Sequence, residues 1–380
     1  MNTTKDYGVA PLSVSLYVHY PWCIRKCPYC DFSSFAKGRD ALRDQKYFAA
    51  LKKDYVQNRE KLYGRKIVSV YFGGGTPSLC PPEYMADFLA FIRPDLATDC
   101  EISMEANPGT VSRDGLSEYL GAGLNRLSIG VQSFNDRSLK AIGRIHDGKA
   151  ACAAVKAAFE AGFENVNVDL MHALPDQGIA EAVCDLQTAC ALGATHISWY
   201  ELTIEEGTAF GRRPPHRPDE EILSDEEERG FGYLTSQGYE RYEVSAFALK
   251  GLKCVHNRNY WLFNDYLGIG AGGCGKIFHE GKTIRRSCPE TPDEYMNGNY
   301  GSWYEVLPSE LPFEFVLNRL RLFEKIKIDE FFLTTGLPFE HIKGRLEEAA
   351  AEGLLRFSEQ SYELTHLGKR MLNDILEKFL

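Results

Sequence analysis

Short hydrophobic runs alternate with helix-length segments along the first two hundred residues of the chain. Six runs rich in Val, Ile and Tyr are predicted to be strands: Ser15–His19, Ile67–Phe72, Glu101–Met104, Arg126–Ile129, Asn165–Leu170 and His196–Tyr200. The Ala-, Leu- and Glu-rich stretches between them are typical of crossover helices that connect parallel strands. The pattern predicts an α/β fold of six βα units in an open or partial barrel.

Polar or glycine-rich residues follow most of the predicted strands. They are Pro21-Trp22-Cys23, Gly73 to Thr76, Glu105 to Pro108, Gln132-Ser133 and Met171-His172. Parallel α/β barrels build their sites at the carboxyl ends of the strands. We therefore expect these segments to surround a common site.

The pattern changes after the sixth strand. An Arg- and Pro-rich stretch over 212–218 and an acidic run over 225–228 predict a surface loop followed by a solvated helix face. From Pro312 onward, helical segments, two short strand-like segments and a final helix resemble a small winged-helix unit. We predict three regions: a partial barrel over 1–210, a barrel extension over 211–305, and a C-terminal winged-helix-like α+β domain over 306–380.

Composition and charge limit the kinds of partner that we expect. The chain is 44% hydrophobic and 25% charged, as is ordinary for a folded protein, and its net charge is −10. Residues 310–380 hold 13 acidic and 10 basic side chains, so the winged-helix-like region lacks the basic surface that DNA binding requires. We expect no nucleic-acid partner. With neither a signal-peptide pattern nor a membrane-spanning apolar run, we expect a cytoplasmic protein.

Three of the eleven cysteines stand out by their spacing. Cys23, Cys27 and Cys30 form a C-x3-C-x2-C run immediately after the first predicted strand. Three thiolates can hold a [4Fe-4S] cluster while leaving one iron able to accept an external ligand. A structural zinc site and unrelated buried cysteines are the alternatives, but zinc typically uses paired elements, and no second C-x2-C or H-x3-H pair is present.

This cysteine loop resembles that of the radical SAM superfamily, in which it follows strand one of a partial (β/α)6 barrel. In that superfamily the reduced cluster transfers an electron to S-adenosylmethionine (SAM) and cleaves it to methionine and a 5′-deoxyadenosyl radical. The resemblance implies a radical SAM barrel, a [4Fe-4S] cluster held by Cys23, Cys27 and Cys30, SAM, and a reductant protein for the cluster.

Other residues at the strand ends suit a ligand site. Three consecutive glycines, Gly73 to Gly75, let a backbone approach a ligand closely, and the P-loop pattern is absent. A tight strand-to-helix turn is the alternative, but the neighbouring strand-end residues favour a ligand. Glu105 could pair with an ammonium group or accept a ribose hydroxyl. Six segments carry a narrower resemblance: LYVHYPWC over 16–23, GGGTP over 73–77, EANP over 105–108, GVQSF over 130–134, GRIH over 143–146 and VDL over 168–170. Together they resemble the oxygen-independent coproporphyrinogen III oxidase group, and the similarity covers essentially the whole chain. The residues that this resemblance marks as SAM contacts are Tyr17, Gly74, Gly75, Thr76, Glu105, Gln132, Arg144 and Asp169.

Two features separate the branches of this group. True oxidases carry a further cysteine two positions after the triad, where this chain has Phe32. Residues 256–261 read HNRNYW and resemble the HNxxYW motif of the HemW haem-chaperone branch. His256 could offer an axial nitrogen to haem iron, or could be a buried histidine beside packed aromatic residues. The chain departs from the branch at Cys274, where a histidine is usual.

The resemblance implies a haem chaperone that binds haem, SAM and a cluster and passes haem to membrane-associated haemoproteins. Contact with such recipients would bring the chaperone to the membrane surface as a peripheral protein. Oxidative decarboxylation of coproporphyrinogen III is the alternative, and a radical SAM reaction on another substrate is a third. We assign no catalytic residue, because the sequence leaves open whether SAM is cleaved. Which residue ligates haem and the oligomeric state are also left open.

Overall fold

The computed structural model of the chain describes residues 12–37 and 40–380 and contains one large sheet and two small ones. The strands are β1 (Val14–Tyr20), β2 (Trp22–Cys23), β3 (Phe35–Ala36), β4 (Ile67–Gly74), β5 (Leu96–Ala106), β6 (Arg126–Gln132), β7 (Asn165–His172), β8 (His196–Glu201), β9 (Glu240–Arg241), β10 (Ala246–Ala248), β11 (Asp265–Ile269), β12 (Cys274–His279), β13 (Lys282–Ser287), β14 (Ser302–Glu305), β15 (Ile326–Lys327), β16 (Leu355–Phe357) and β17 (Ser361–Leu364).

The helices lie between these strands. They are α1 (Ala41–Asn58), α2 (Pro82–Ile92), α3 (Arg113–Gly121), α4 (Asp136–Ala141), α5 (Gly148–Ala161), α6 (Ile179–Ala191), α7 (Ala209–Arg212), α8 (Glu220–Ser236), α9 (Val255–Trp261), α10 (Pro292–Met296), α11 (Leu311–Arg319), α12 (Ile328–Thr335), α13 (Glu340–Ala351), α14 (His366–Arg370) and α15 (Leu372–Glu377). None of the helices in the described residues is long and apolar enough to span a bilayer.

Six parallel strands form the centre of the twelve-stranded sheet. They are β1, β4, β5, β6, β7 and β8, adjacent in chain order, and they contain all six predicted strands. A seventh strand, β11, pairs in parallel with the outer edge of β1, and antiparallel strands extend the sheet on both sides. Within the described residues the two edge strands, β14 and β9, do not pair with each other. The parallel strands with their crossover helices in an open sheet confirm the predicted α/β fold.

The crossover helices form where the sequence supplies both an apolar face and end caps. In α5, Ala151, Val155 and Ala158 are buried, and their spacing places them on one face of the helix. Asp147 caps its first turn by accepting from the Ala150 amide, and Gly162 ends it with a left-handed φ of 105°. The small side chains let α5 pack closely on the sheet, as the alternating pattern predicted.

The C-terminal region has its own apolar cluster, which includes Phe315, Phe331, Leu346 and Tyr362. Helices α11 to α13 pack with the three-stranded antiparallel sheet of β15, β17 and β16 and with the two final helices. This is the α+β unit expected from the sequence. The boundaries at 210 and 305 stay predictions, and β11 and α9, both within 211–305, pack directly against the parallel strands.

Candidate cofactor-binding site

All twelve residues singled out by the sequence line one cavity of about 480 Å³. They are Tyr17, Cys23, Cys27, Cys30, Gly74, Gly75, Thr76, Glu105, Gln132, Arg144, Asp169 and His256. Most of them lie at or just beyond the carboxyl ends of the parallel strands, where such folds build their sites. The structure therefore brings the predicted residues together, while the role of each stays a prediction.

The cysteine loop is held at the mouth of this cavity by backbone hydrogen bonds. The Phe35 amide donates to the Pro21 carbonyl at 2.7 Å, and the Cys30 amide donates to the Cys27 carbonyl at 3.2 Å. Burial is the largest cause that raises the pKa of the Cys23 and Cys30 thiols. Metal binding to these sulfurs must therefore displace protons.

The three thiols fit an iron–sulfur cluster better than a single ion. Over the described residues, no three His, Cys, Asp or Glu side chains converge as ligands of one metal ion. A cluster presents separate irons to separate thiolates, so its ligands need not converge on one point. The Arg144 guanidinium lies 3.5 Å from the Cys27 sulfur, where it can donate to a thiolate. The loop thus has the donor set for a three-cysteine cluster.

Arg144 is positioned by the glycine before it. Gly143 has a left-handed φ of 71°, and a Cβ there would lie 2.8 Å from Cδ of Pro28 in the cysteine loop. The Arg144 guanidinium also donates to the Gly130 carbonyl at 2.5 Å. Gly143 therefore allows the cysteine loop and the Arg144 side chain to pack against each other.

The glycine segment after β4 is needed for packing within the protein. Gly74 has φ of 109°, and a Cβ there would lie 2.5 Å from the His19 imidazole. A Cβ on Gly75 would lie 2.6 Å from the Trp22 carbonyl oxygen. The Gly75 and Thr76 amides donate to the carbonyls of Tyr20 and Trp22, which joins this segment to the chain that enters the cysteine loop. The tight-turn explanation is therefore correct for the packing, while Gly74, Gly75 and Thr76 also line the cavity.

Two carboxyl groups lie deep in the cavity. Glu105 accepts from the Tyr71 hydroxyl at 3.1 Å and from the Gly74 amide at 3.2 Å. Burial, followed by the nearby Asp169, raises the pKa of Glu105 to about 7. Burial also raises the pKa of Asp169, which accepts from Ser128 at 3.0 Å and Asn167 at 2.7 Å. The pair can attract a cationic ligand once Glu105 is ionised.

Gln132 is held in a strained backbone conformation. Its φ is 69°, which is unusual for a residue other than glycine, and the pairing of β6 with β7 shifts register between Gly130 and Gln132. Its side-chain oxygen accepts from the Tyr200 hydroxyl at 2.9 Å. A strained backbone persists only where the surrounding structure holds it in place, and such residues are concentrated at functional sites.

Helix α9, which carries the HNRNYW segment, packs against the inner strands β1, β4 and β11. The Glu101 carboxylate of β5 accepts from the amides of Val255 at 3.0 Å and His256 at 3.1 Å, and so caps the helix. Arg126 lies 3.9 Å from the same carboxylate. Glu101 and Arg126 were not singled out from the sequence. Their charge at the start of two apolar runs was the available signal, because a charged residue in a buried strand needs a partner within the protein.

His256 is only 1% exposed, although it contributes to the cavity wall. Its Nδ1 lies 3.0 Å from the Ser69 hydroxyl, and its Nε2 lies 3.2 Å from the Tyr260 hydroxyl. Its ring stacks on Tyr71 with centroids 4.8 Å apart. Burial is the largest cause that lowers the pKa of His256 to about 3, with Arg126 contributing. The imidazole is therefore neutral, and both of its nitrogens already have hydrogen-bonding neighbours.

The cavity wall includes Glu243 and Arg321, which were not singled out from the sequence, as well as Trp261 of the HNRNYW segment. Trp261 ends α9, Glu243 precedes β10, and Arg321 follows α11 of the C-terminal region. Nothing local in the sequence marked Arg321, because it reaches the cavity only through the packing of the C-terminal region. Phe32 is 61% exposed at the cavity, and Cys274 is exposed at the start of β12 without lining it.

Comparison with known proteins agrees with this architecture. Residues 17–186 match the family model of the radical SAM superfamily, and residues 306–370 match that of the HemN C-terminal domain. The fold resembles the solved structure of coproporphyrinogen III oxidase (HemN) from Escherichia coli, with a TM-score of 0.82 and 22% identity over 97% of this chain and 90% of that chain. The open parallel sheet, the cysteine loop and the family match define a member of the radical SAM superfamily.

Relatives of similar length identify the family within that class. The heme chaperone HemW of Escherichia coli (strain K12) is 45% identical over 371 residues, 97% of this chain and 98% of the relative. The heme chaperone HemW of Haemophilus influenzae is 43% identical, over 97% of this chain and 98% of the relative. The chain therefore belongs to the HemW family.

Proposed function

We propose that the protein is a haem chaperone that binds haem, SAM and a [4Fe-4S] cluster and delivers haem to haemoproteins. The observation that supports this proposal most strongly is the shared cavity: the cysteine loop, the strand-end polar residues and the HNRNYW helix all contribute to its wall. The names of the full-length relatives agree with this function. Membrane-associated recipients and a reductant protein follow from the family resemblance.

Each part of the cavity has a role in this proposal. Cys23, Cys27 and Cys30 would hold three irons of a [4Fe-4S] cluster, which would leave the fourth able to accept the amine and carboxylate of SAM. When bound, the cluster supplies an electron for SAM chemistry, although holding SAM does not require its cleavage. The remaining polar groups orient SAM, and they are Tyr17, Gly74, Gly75, Thr76, Glu105, Gln132, Arg144 and Asp169.

Haem binds at the α9 side of the cavity in this proposal. Because the His256 imidazole is neutral, a ring nitrogen can offer a lone pair to iron. Ligation through Nε2 must first break the contact with the Tyr260 hydroxyl. Tyr260→Phe should therefore strengthen haem binding if His256 is the ligand, whereas His256→Ala should change the Soret band. An unchanged Soret band in His256→Ala would assign the iron ligand to another residue.

Decarboxylation of coproporphyrinogen III is the competing function. Phe32 occupies the position of the additional oxidase cysteine, and it is exposed at the cavity. The structural likeness to HemN reflects the fold, at 22% identity, and does not itself favour that reaction. Phe32 and the HNRNYW segment over 256–261 are the two features that favour the chaperone.

The test combines anaerobic reconstitution with haem titration and a decarboxylation assay. Wild type, Cys23→Ala and the control Cys184→Ala, which replaces an exposed cysteine on α6, are reconstituted with iron and sulfide. We expect wild type and the control to carry a cluster and bind haem stoichiometrically without decarboxylating coproporphyrinogen III, and Cys23→Ala to lose the cluster. Cluster- and SAM-dependent formation of protoporphyrinogen would instead establish the oxidase.

A further inference from the structure

Arg321 introduces a cation from the C-terminal region into the cavity. Its backbone is fixed because Leu322 forms an antiparallel bridge with Glu243 and the Phe323 amide donates to the Tyr242 carbonyl at 3.0 Å. The Arg321 guanidinium lies 4.5 Å from the centroid of the Trp261 ring. The indole and the guanidinium thus form adjoining parts of one wall, with an apolar face beside a cation.

The charge of Arg321 is only partly neutralised. Its nearest carboxylate, that of Glu243, is 3.7 Å away, which is an ion pair without a hydrogen bond. Within the described chain the guanidinium donates no hydrogen bond, and its Nε is buried without a partner. The Glu243 carboxylate is itself engaged, since it accepts from the Ser245 amide at 2.8 Å. A guanidinium in this state can bind a planar carboxylate through two parallel hydrogen bonds.

A porphyrin such as haem has the matching chemistry, because its flat apolar ring carries propionate carboxylates on one edge. The cavity has three other arginine or lysine residues. Arg25 and Lys26 are exposed on the cysteine loop, and Lys26 already donates to the Phe32 carbonyl at 2.9 Å. Arg144 already donates to the Gly130 carbonyl and lies 3.5 Å from the Cys27 sulfur. Among the described basic residues of the cavity wall, Arg321 is the one that combines a fixed backbone, an adjoining aromatic face and unused donors.

We propose that Arg321 binds a propionate of the porphyrin ligand while Trp261 packs against the ring, so that the C-terminal region recognises the anionic edge of haem. This inference rests on the proposed haem-binding function. It adds a specificity-determining contact that lies outside the HNRNYW segment. It also gives the C-terminal region a direct part in ligand binding.

The experiment compares haem with haem dimethyl ester, in which both propionates are neutral. Both ligands are titrated into full-length wild type, Arg321→Met, Arg321→Lys and Arg356→Met, with thermal unfolding as a check on folding. Arg356 is an exposed arginine of β16 outside the cavity, so its variant controls for loss of one positive charge. Glu243→Gln is added because it removes the carboxylate beside Arg321 and keeps an acceptor for the Ser245 amide.

We expect Arg321→Met to bind haem about tenfold more weakly than wild type and to bind the dimethyl ester with unchanged affinity. Arg321→Lys should recover part of the loss, Glu243→Gln should bind haem more tightly, and Arg356→Met should behave as wild type. Equal haem affinity in wild type and Arg321→Met would overturn the inference. So would an equal loss of affinity for haem and for the dimethyl ester in Arg321→Met. Neither outcome would contradict the proposed binding of haem by wild type. Failure of wild type to bind either ligand would overturn the proposed function as well.

Discussion

Glu105 is the residue at which the energetic cost of the site should be measurable. In the unfolded chain its carboxyl group loses its proton near the ordinary pKa of 4.5, whereas the folded protein retains the proton until about pH 7. Between these pH values the folded state binds more protons than the unfolded state. The free energy of unfolding must therefore fall as the pH rises through this window.

The magnitude follows from the shift in pKa. One pKa unit corresponds to about 1.4 kcal/mol, so the whole shift would be worth about 3 kcal/mol. The Glu105 side chain is partly open to the cavity, and solvent screening there reduces the expected effect to on the order of 1–2 kcal/mol. Glutamine cannot ionise, so Glu105→Gln should remove this pH dependence.

Urea unfolding of the reduced, iron-free protein at pH 5 and pH 8 tests this prediction. From pH 5 to pH 8, the free energy of unfolding of wild type should fall by about 1–2 kcal/mol more than that of Glu105→Gln. Glutamine also lacks one of the acceptor oxygens of glutamate. This loss affects the free energy of unfolding at both pH values, so it cancels when the two pH values are compared. Glu118→Gln, a change at an exposed position of α3, should keep the wild-type pH dependence. Identical pH dependence in wild type and Glu105→Gln would refute the reasoning.

Two further predictions concern stability: one tests the packing at a glycine, and the other tests a buried ion pair. Gly74→Ala should lose at least about 2 kcal/mol more in free energy of unfolding than Gly64→Ala. Both positions have positive φ, but of the two only Gly74 also lacks room for a Cβ. Equal losses of the two variants in urea unfolding would argue against the clash. Arg319→Met should lower the free energy of unfolding by about 3 kcal/mol, since the arginine is 1% exposed and pairs with Glu330 at 2.7 Å. A change below about 0.5 kcal/mol in the same assay would contradict a structural role for the ion pair.

The parallel strands and the position of the site could be predicted because both depend on local patterns. Apolar runs located all six strands, and the rule that sites lie at carboxyl strand ends placed the cysteine loop, the glycine segment and Glu105 around one site. The family resemblance supplied Tyr17, Arg144, Asp169 and His256. Glu105 was singled out because it directly follows the third run, whereas Gln132 lies in the polar segment beyond the fourth run and was assigned to SAM by the family resemblance.

Contacts between distant parts of the chain could not be predicted in this way. Helix α9 lies against the inner strands because Glu101, more than 150 residues earlier, caps it. Strand β11 joins the edge of β1 from beyond the six βα units. Arg321 enters the cavity through a bridge between Leu322 and Glu243. Single-sequence periodicity carries no information about such pairings, which are set by tertiary packing.

The most direct test of the central claim is the electron paramagnetic resonance spectrum of the reconstituted, dithionite-reduced full-length protein before and after addition of SAM. If Cys23, Cys27 and Cys30 hold a [4Fe-4S] cluster with one iron open to the cavity, wild type should show a reduced-cluster signal whose g values change when SAM is added. Cys184→Ala should behave in the same way, and Cys27→Ala should give no such signal. A cluster signal that SAM leaves unchanged, or one that persists in Cys27→Ala, would contradict the account.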